Sequence, residues 1–194
     1  ERNWDYLNAT EMTKKPVVIT RLWVEMAKQR QVFEGVKAVG FTYAGTANMA
    51  LRILGMYGAT VVRVESQTRP CNLRLAGPFK DNKPGINRST YYAVYNNDRY
   101  SLALNLKHPK SSIITRKLIQ WADILAENFS PGTMERLGLD YDSVKGINAN
   151  IIMLSLSQQG QTGPHKFMPG YGPQVQALTG HVHLCGWPDR APVL

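Results

Sequence analysis

The residues best suited to chemistry are gathered in one stretch, Ala126–Gly138, which reads A-E-N-F-S-P-G-T-M-E-R-L-G. Asn128 offers an amide, Phe129 an aromatic face, the turn at Ser130, Pro131 and Gly132 its backbone N–H groups, and Arg136 a guanidinium. That set suits an anionic ligand carrying a planar ring, such as a nucleotide or a nucleotide-like cofactor. A guanidinium meets phosphate with two parallel donors and stacks on flat rings. Two plainer readings stay open: Arg136 pairs with Glu135 on a helix surface, or Asn128 caps the turn that follows it.

These groups converge only if the chain around them folds in a particular way. The run Ala122–Glu127 reads as a buried strand, and Thr133–Arg136 as a helical turn that aims Arg136 back over the strand end. In an open α/β sheet ligands bind outside the carboxyl ends of the strands. The rest of the chain supplies such a sheet. Strands are expected at Val36–Thr42, Thr60–Glu65 (T-V-V-R-V-E, rich in β-branched residues), Tyr100–Leu106 and Ile151–Ser157. A helix is expected over Ala47–Tyr57, with Met49, Ile53 and Met56 as its apolar face. A second starts near Lys107-His108-Pro109, with Ile114, Leu118 and Trp121 inward. Tyr141–Asn148 and Gly172–Thr179 read as short helices, Tyr91–Asn97 as helix or extended chain, and Ser66–Thr90 and Gln158–Gly170 as loops. His181–Leu194 reads as irregular. Strands alternating with helices predict a Rossmann-like, doubly wound parallel sheet of the α/β class. Residues 1–32, with a thin helical pattern over Arg21–Val32, read as an N-terminal extension or linker, and residues 33–194 as the large domain.

Composition narrows the function classes. The chain has 194 residues, 43% hydrophobic and 19% charged, with a formal net charge of +9, as expected of a folded domain with an anionic partner. The positive residues are dispersed, and no helix-turn-helix, zinc or aromatic RNA-reading pattern appears, which argues against nucleic acid. Cys71 and Cys185 lie far apart outside any C-x-x-C pair, so they read as reduced thiols of a cytoplasmic protein. His165, His181 and His183 lack a further ligand for a metal. No apolar run is long enough to span a membrane, and no leader is apparent. Both ends read as cut from a longer polypeptide. The basic loop Arg69–Arg88 reads as solvated, or as a source of cations for phosphates.

Taken in order, F-E-G-V-K-A-V-G-F-T, Y-G-A-T-V-V-R-V-E, N-N-D-R-Y-S-L-A-L-N-L-K-H-P, A-E-N-F-S-P-G-T-M-E-R-L-G, I-I-M-L-S-L-S-Q-Q-G-Q-T-G-P and P-G-Y-G-P-Q-V-Q-A-L-T-G resemble the class III coenzyme A-transferases. The resemblance runs from Phe33 to Leu194. It implies an enzyme whose substrates are a coenzyme A thioester and an organic acid, with no metal, and an aspartyl-CoA thioester as covalent intermediate. It also implies an interlocked homodimer, or a heterodimer with a homologous subunit. The nucleophilic aspartate is expected beyond residue 194, so no catalytic residue falls within this chain, and Asp189 is not that nucleophile. Carried over residue by residue, Asn128, Phe129 and Ser130 match the strand-end loop that holds the cofactor, and Arg136 matches its phosphate-facing arginine. Leu104 to Lys107 match a segment near the adenine and its phosphate. Gly45 and Thr46 match the first strand-to-helix turn beside the thioester. Pro169 to Gly172, including Gly170 and Tyr171, match a loop that closes on the pantetheine end. The chain departs from the family at Gly45-Thr46-Ala47, often A-G-P; at Gly172, usually acidic; and at Ser66, basic in some relatives. The resemblance leaves two further readings open: a non-catalytic homologous subunit, and an acyl-CoA racemase of the same fold.

Overall fold

The computed structural model describes residues 30–192. Nearly all of the 1–32 extension, with its helical pattern, lies outside them. Five strands form one parallel sheet: β1 Lys37–Phe41, β2 Thr60–Glu65, β3 Tyr100–Ala103, β4 Ile124–Glu127 and β5 Ile152–Ser155, in the order β3-β2-β1-β4-β5. The order reverses between β1 and β4, where the chain switches from building one half of the sheet to building the other. The central strand β1 is buried on both faces, with Ala38, Val39 and Phe41 fully inaccessible. This explains its unbroken apolar sequence.

Helices cover both faces. Helix α1 (Thr46–Met56) packs on the face formed by Ala38, Val61 and Ala126, with Leu51 at its centre. Gly40 lies beneath it, and a Cβ there would overlap Leu51. The space that a side chain at residue 40 would take is filled by the Leu51 side chain. Helix α2 (Thr90–Asn96) lies beside α1, its first turn capped by Ser89, which accepts from the Tyr92 N–H at 3.0 Å. The opposite face of the sheet carries the larger core: Val39, Phe41, Val64 and Leu125 pack with Ile119 of α3 (Ser111–Trp121), Met134 of α4 (Thr133–Arg136) and Val144 of α5 (Tyr141–Ile147). Helices α6 (Gly172–Leu178) and α7 (His181–Leu184) follow β5.

The element order agrees with the sequence reading, and β2 has the bounds expected of it. Two helix faces do not. In α1 the inward residues are Ala47, Asn48 and Leu51, whereas Ile53 and Met56 are each 47% exposed. Leu51 takes the space over Gly40, and the stripe it shares with Ala47 and Asn48 faces the sheet, so Ile53 and Met56 turn out. In α3 the buried stripe is Ser111, Thr115 and Ile119, with Leu118 and Trp121 at its margin and Ile114 outward. The strand expected to reach Leu106 stops at Ala103, although Leu104 and Leu106 still pack on the core. The loop 66–90 holds two 3-10 turns, Asn72–Leu75 and Lys80–Asn82. His181–Leu184 is a short helix rather than irregular chain.

Candidate functional site

The site lies along the carboxyl edge of the sheet. At the switch point, β1 ends in the turn Thr42–Gly45 and β4 ends in Glu127–Gly132. One side chain joins them. Asn128 Oδ1 accepts from the Tyr43 N–H at 2.7 Å, and its Nδ2 donates to the Tyr43 carbonyl. The amide is thereby committed to backbone 85 residues away in sequence. It does not cap its own turn, so Asn128 holds the two strand ends in register, with one N–H of its amide left over.

The β1 turn is fixed from behind by a buried polar cluster. Arg63, on β2 and 1% exposed, donates from Nε to Thr42 Oγ1 at 3.1 Å and from Nη2 to the Thr42 carbonyl at 3.2 Å. Thr42 Oγ1 donates to Asn48 Oδ1 at 2.6 Å, and Asn48 Nδ2 donates to the Ala44 carbonyl at 2.5 Å. These bonds hold Ala44 at φ +57, a left-handed conformation that costs a residue with a Cβ about 1 kcal/mol. Arg63 also pairs with Glu65 at 2.9 Å, and Glu65 receives Arg74 Nε at 2.6 Å. Tyr92 donates to Glu65 Oε2 at 3.1 Å and accepts from both arginines. Burial opposes ionisation of Glu65, but the bonds from Arg74 and the Cys71 N–H, with the two guanidinium charges, outweigh it and hold the carboxyl at about 2. Arg99 donates to the Asn48 side chain at 3.0 Å and to its carbonyl at 2.7 Å. Its burial, with the nearby Arg63 charge, brings its pKa down to about 10.

Beside β4 and β5 an open cleft of ≈ 240 Å³ is lined by Glu127, Ser130, Glu135, Asp140, Ser155 and Gln161 among others. Glu127 ends β4 on the face that Leu125 fills with apolar carbon, and it is 2% exposed. Its Oε2 accepts from the Phe129 N–H at 2.8 Å, and its Oε1 accepts from Gln161 Nε2 at 3.3 Å. Burial pushes its pKa up, against the Phe129 and Ser155 hydrogen bonds, and the Glu135 charge adds to the rise. Three carboxyl groups in one cleft disfavour a phosphate there.

The residues singled out from the sequence fall as follows. Gly45 caps α1 and packs against the Tyr95 ring, and Thr46 opens α1, whose first turn has no acid and no side-chain cap. Phe129 packs half-buried on the large core, and Ser130 faces the cleft. Arg136 reaches back over the turn: Nη2 donates to Thr133 Oγ1 at 2.9 Å and Nη1 lies over Gly132, which holds φ +79. The guanidinium thus bonds within its own turn and not to Glu135. Leu104 and Lys107 follow β3, Leu104 packed on the core and Lys107 exposed. Strand spacing of ~4.8 Å over the intervals from β3 to β4 puts these two ends about 14 Å apart. Gly170, Tyr171 and Gly172 form a strap. Gln158, following β5, donates to the Tyr171 carbonyl at 3.2 Å, and Asn72, in the loop after β2, meets the Tyr171 hydroxyl at 3.5 Å. Of the basic loop, Arg69 is exposed with its guanidinium 5.8 Å from the Tyr43 ring, Arg74 turns inward to Glu65, Arg88 bonds Lys80 and Lys83 carbonyls and Asp81, and Lys80 and Lys83 lie in solvent.

Sequence reasoning passed over Glu127, Gln161 and the Arg63–Glu65–Arg74 cluster. The available signal was charge inside strand-like runs, in V-R-V-E and L-A-E-N, because a charge in a central strand must find partners. Among the described residues no group of three His, Cys, Asp or Glu is disposed to hold a metal ion, and no helix is long and apolar enough to cross a membrane. His181 and His183 lie two apart on α7, on opposite sides of a helix.

Comparison with known proteins agrees with this architecture. The family model described as CoA-transferase family III matches residues 33–194. An acetyl-CoA:oxalate CoA-transferase of Acetobacter aceti is 34% identical over 166 residues, which is 86% of this chain and 41% of that protein. The beta subunit of a succinyl-CoA–L-malate CoA-transferase from Chloroflexus aurantiacus is 34% identical, over 82% of this chain and 38% of its own length. The crystal structure of a CAIB/BAIF family protein from Brucella suis superposes with a TM-score of 0.77 at 29% identity, covering 86% of this chain and 44% of that one. The chain therefore spans about two fifths of the length of the curated relatives it matches.

Proposed function

We infer a function from one premise: the chain belongs to CoA-transferase family III. We propose that it supplies the coenzyme A-binding face of an enzyme that moves CoA between carboxylic acids. The observation that carries this reading is where the family's expected contacts fall. Gly45 and Thr46 follow β1, Leu104 to Lys107 follow β3, and Asn128 to Ser130 follow β4, while the Gly170–Gly172 strap is held by residues after β5 and β2. A row of contacts about 14 Å long fits an extended ligand such as CoA better than a compact one. Lys107 and Arg136 lie outside the acidic cleft and meet the phosphates; Phe129 and the β4 turn face the rest of the nucleotide.

In this scheme the chemistry proceeds through a carboxylate nucleophile from the part of the enzyme beyond residue 194. An aspartate attacks the acyl-CoA carbonyl and CoA leaves as the thiolate, giving a mixed anhydride. The thiolate then attacks the aspartyl carbonyl and releases the first acid, leaving an aspartyl-CoA thioester for the second acid to enter. This chain holds the CoA while those bonds exchange, and two copies or two homologous subunits complete the site. The test is calorimetry on the full-length protein with CoA, followed by hydroxylamine trapping of the thioester. We expect CoA to bind, and Arg136→Ala to weaken it about tenfold with little change in thermal midpoint. Absence of CoA uptake, or an unaltered affinity in Arg136→Ala, overturns the reading.

A relative named as a beta subunit favours a second reading. The chain then belongs to a homologous subunit that binds CoA beside a catalytic partner, and trapping yields no thioester on it although CoA still binds.

A further inference from the structure

Gln158 carries an unmet hydrogen-bonding atom at the strap. Its Nε2 donates to the Tyr171 carbonyl at 3.2 Å, which fixes the orientation of the amide, since a carbonyl only accepts. Its Oε1 is buried and has no donor, and the Ser157 hydroxyl next to it in the chain is also buried without a partner. The carboxamide presses on the strap so closely that a Cβ on residue 170 would overlap it. A buried acceptor left without a donor is destabilising, so a donor from outside the chain has something to gain there.

We propose that Gln158 Oε1 accepts a hydrogen bond from an amide N–H of the pantetheine arm of CoA, which makes Gln158 a recognition residue for that arm. The assignment rests on the CoA-binding reading above. The chemistry of the ligand selects the arm: its two secondary amides each carry one N–H, whereas the diphosphate offers acceptors alone. Sheet order selects it too. The adenine end, with its amino group, is expected beside Leu104 to Lys107 after β3, at the opposite edge of the sheet from β5, which Gln158 follows. The same carboxamide therefore has two duties, with its nitrogen latching the strap and its oxygen accepting from the arm.

The test is a thermodynamic cycle by calorimetry on the full-length protein. Wild type and Gln158→Met are each titrated with CoA, with two analogues in which one or other amide N–H of the arm is replaced by an ester oxygen, and with adenosine 3′,5′-bisphosphate, which lacks the arm. One analogue is expected to bind wild type about 3- to 10-fold more weakly than CoA, the worth of one neutral hydrogen bond. Gln158→Met is expected to bind CoA more weakly by a similar factor, to show no further loss with that analogue, and to bind the bisphosphate as wild type does. Losses that multiply for both analogues overturn the assignment, as does an equal loss for the bisphosphate, which would mark Gln158 as a purely structural latch. If wild type binds no CoA, the CoA reading itself fails. If it binds CoA and the losses multiply, only the role of Gln158 fails.

Discussion

Replacing Glu65 by Gln removes one charge from the buried cluster behind the β1 turn and changes almost nothing in shape. In the native protein Glu65 Oε1 accepts from Arg74 Nε at 2.6 Å and from the Cys71 N–H at 3.0 Å, and Oε2 accepts from Arg63 Nη1 at 2.9 Å. A neutral carboxamide in its place leaves both guanidinium groups without a counter-charge, one of them at 1% exposure. The distance between the ordinary carboxyl value of 4.5 and the native value of about 2 corresponds to about 3 kcal/mol at neutral pH. Removing one member of a buried ion pair costs a similar amount, about 3–5 kcal/mol. For a domain of this size that lowers the thermal midpoint by roughly 6–12 °C. The sign with pH follows from the lowered native value. The stabilisation is complete above pH 4.5 and is lost as pH falls toward 2, because protonated Glu65 then resembles the amide. Thermal unfolding of both proteins from about pH 7 down to about pH 2.5 measures the difference, and titrations common to both cancel. A Glu65→Gln protein that melts within about 2 °C of wild type at neutral pH, or a gap that stays constant on acidification, refutes the reasoning.

Other outcomes follow from single contacts. Asn128→Ala leaves the Tyr43 N–H and carbonyl without their partner and costs about 2–4 kcal/mol; hydrogen exchange at the Tyr43 amide should accelerate accordingly, and an unchanged rate would remove Asn128 from its bridging role. Gly55→Ala would normally strengthen a helix by about 1 kcal/mol. Here the new Cβ overlaps the Asp98 carbonyl oxygen, which is backbone and cannot swing aside, so the urea midpoint should fall by the equivalent of about 2 kcal/mol. Glu127→Gln should stabilise. Burial raises the native pKa of Glu127, so the wild-type carboxylate is penalised as pH rises above the ordinary carboxyl range. The variant should melt roughly 2 °C higher than wild type at about pH 8 and no higher at about pH 4.

The strands were legible because their signal is local. T-V-V-R-V-E carries enough β-branched carbon to announce β2 to the residue, and the Gly and Pro of the Ser130–Gly132 turn announce the end of β4. Helix orientation was not legible, because it depends on what lies opposite. Met49, Ile53 and Met56 form a good stripe by periodicity, but Gly40 on another element leaves room for Leu51, and Leu51 takes the inward face with Ala47 and Asn48. The site was half legible. The strand-end positions could be marked from the stretch around Asn128, whereas its bond to Tyr43 spans 85 residues and has no local trace. Arg63 and Glu65 were visible as charges in a strand, but their stabilising partners Arg74, Tyr92 and Thr42 come from three separate segments.

Asn128 gives and takes one hydrogen bond with a single residue of the neighbouring strand end, an exchange that backbone makes in antiparallel pairs and that the parallel β1–β4 ladder cannot make for itself. Its side chain thus clasps the β1 and β4 ends past the point where the main chains part. Inserting or deleting one residue before Tyr43 would carry it off Asn128, and one between Tyr43 and Ala47 would pull Asn48 away from Thr42 and Ala44, so the length of that turn is a fixed dimension of the molecule. The β5–α6 connection is tied down by isolated side-chain contacts from Gln158 and Gln161. Variation in length between related chains should therefore collect in the second segment and avoid the first, and an engineer seeking to regraft a loop on this scaffold should begin there.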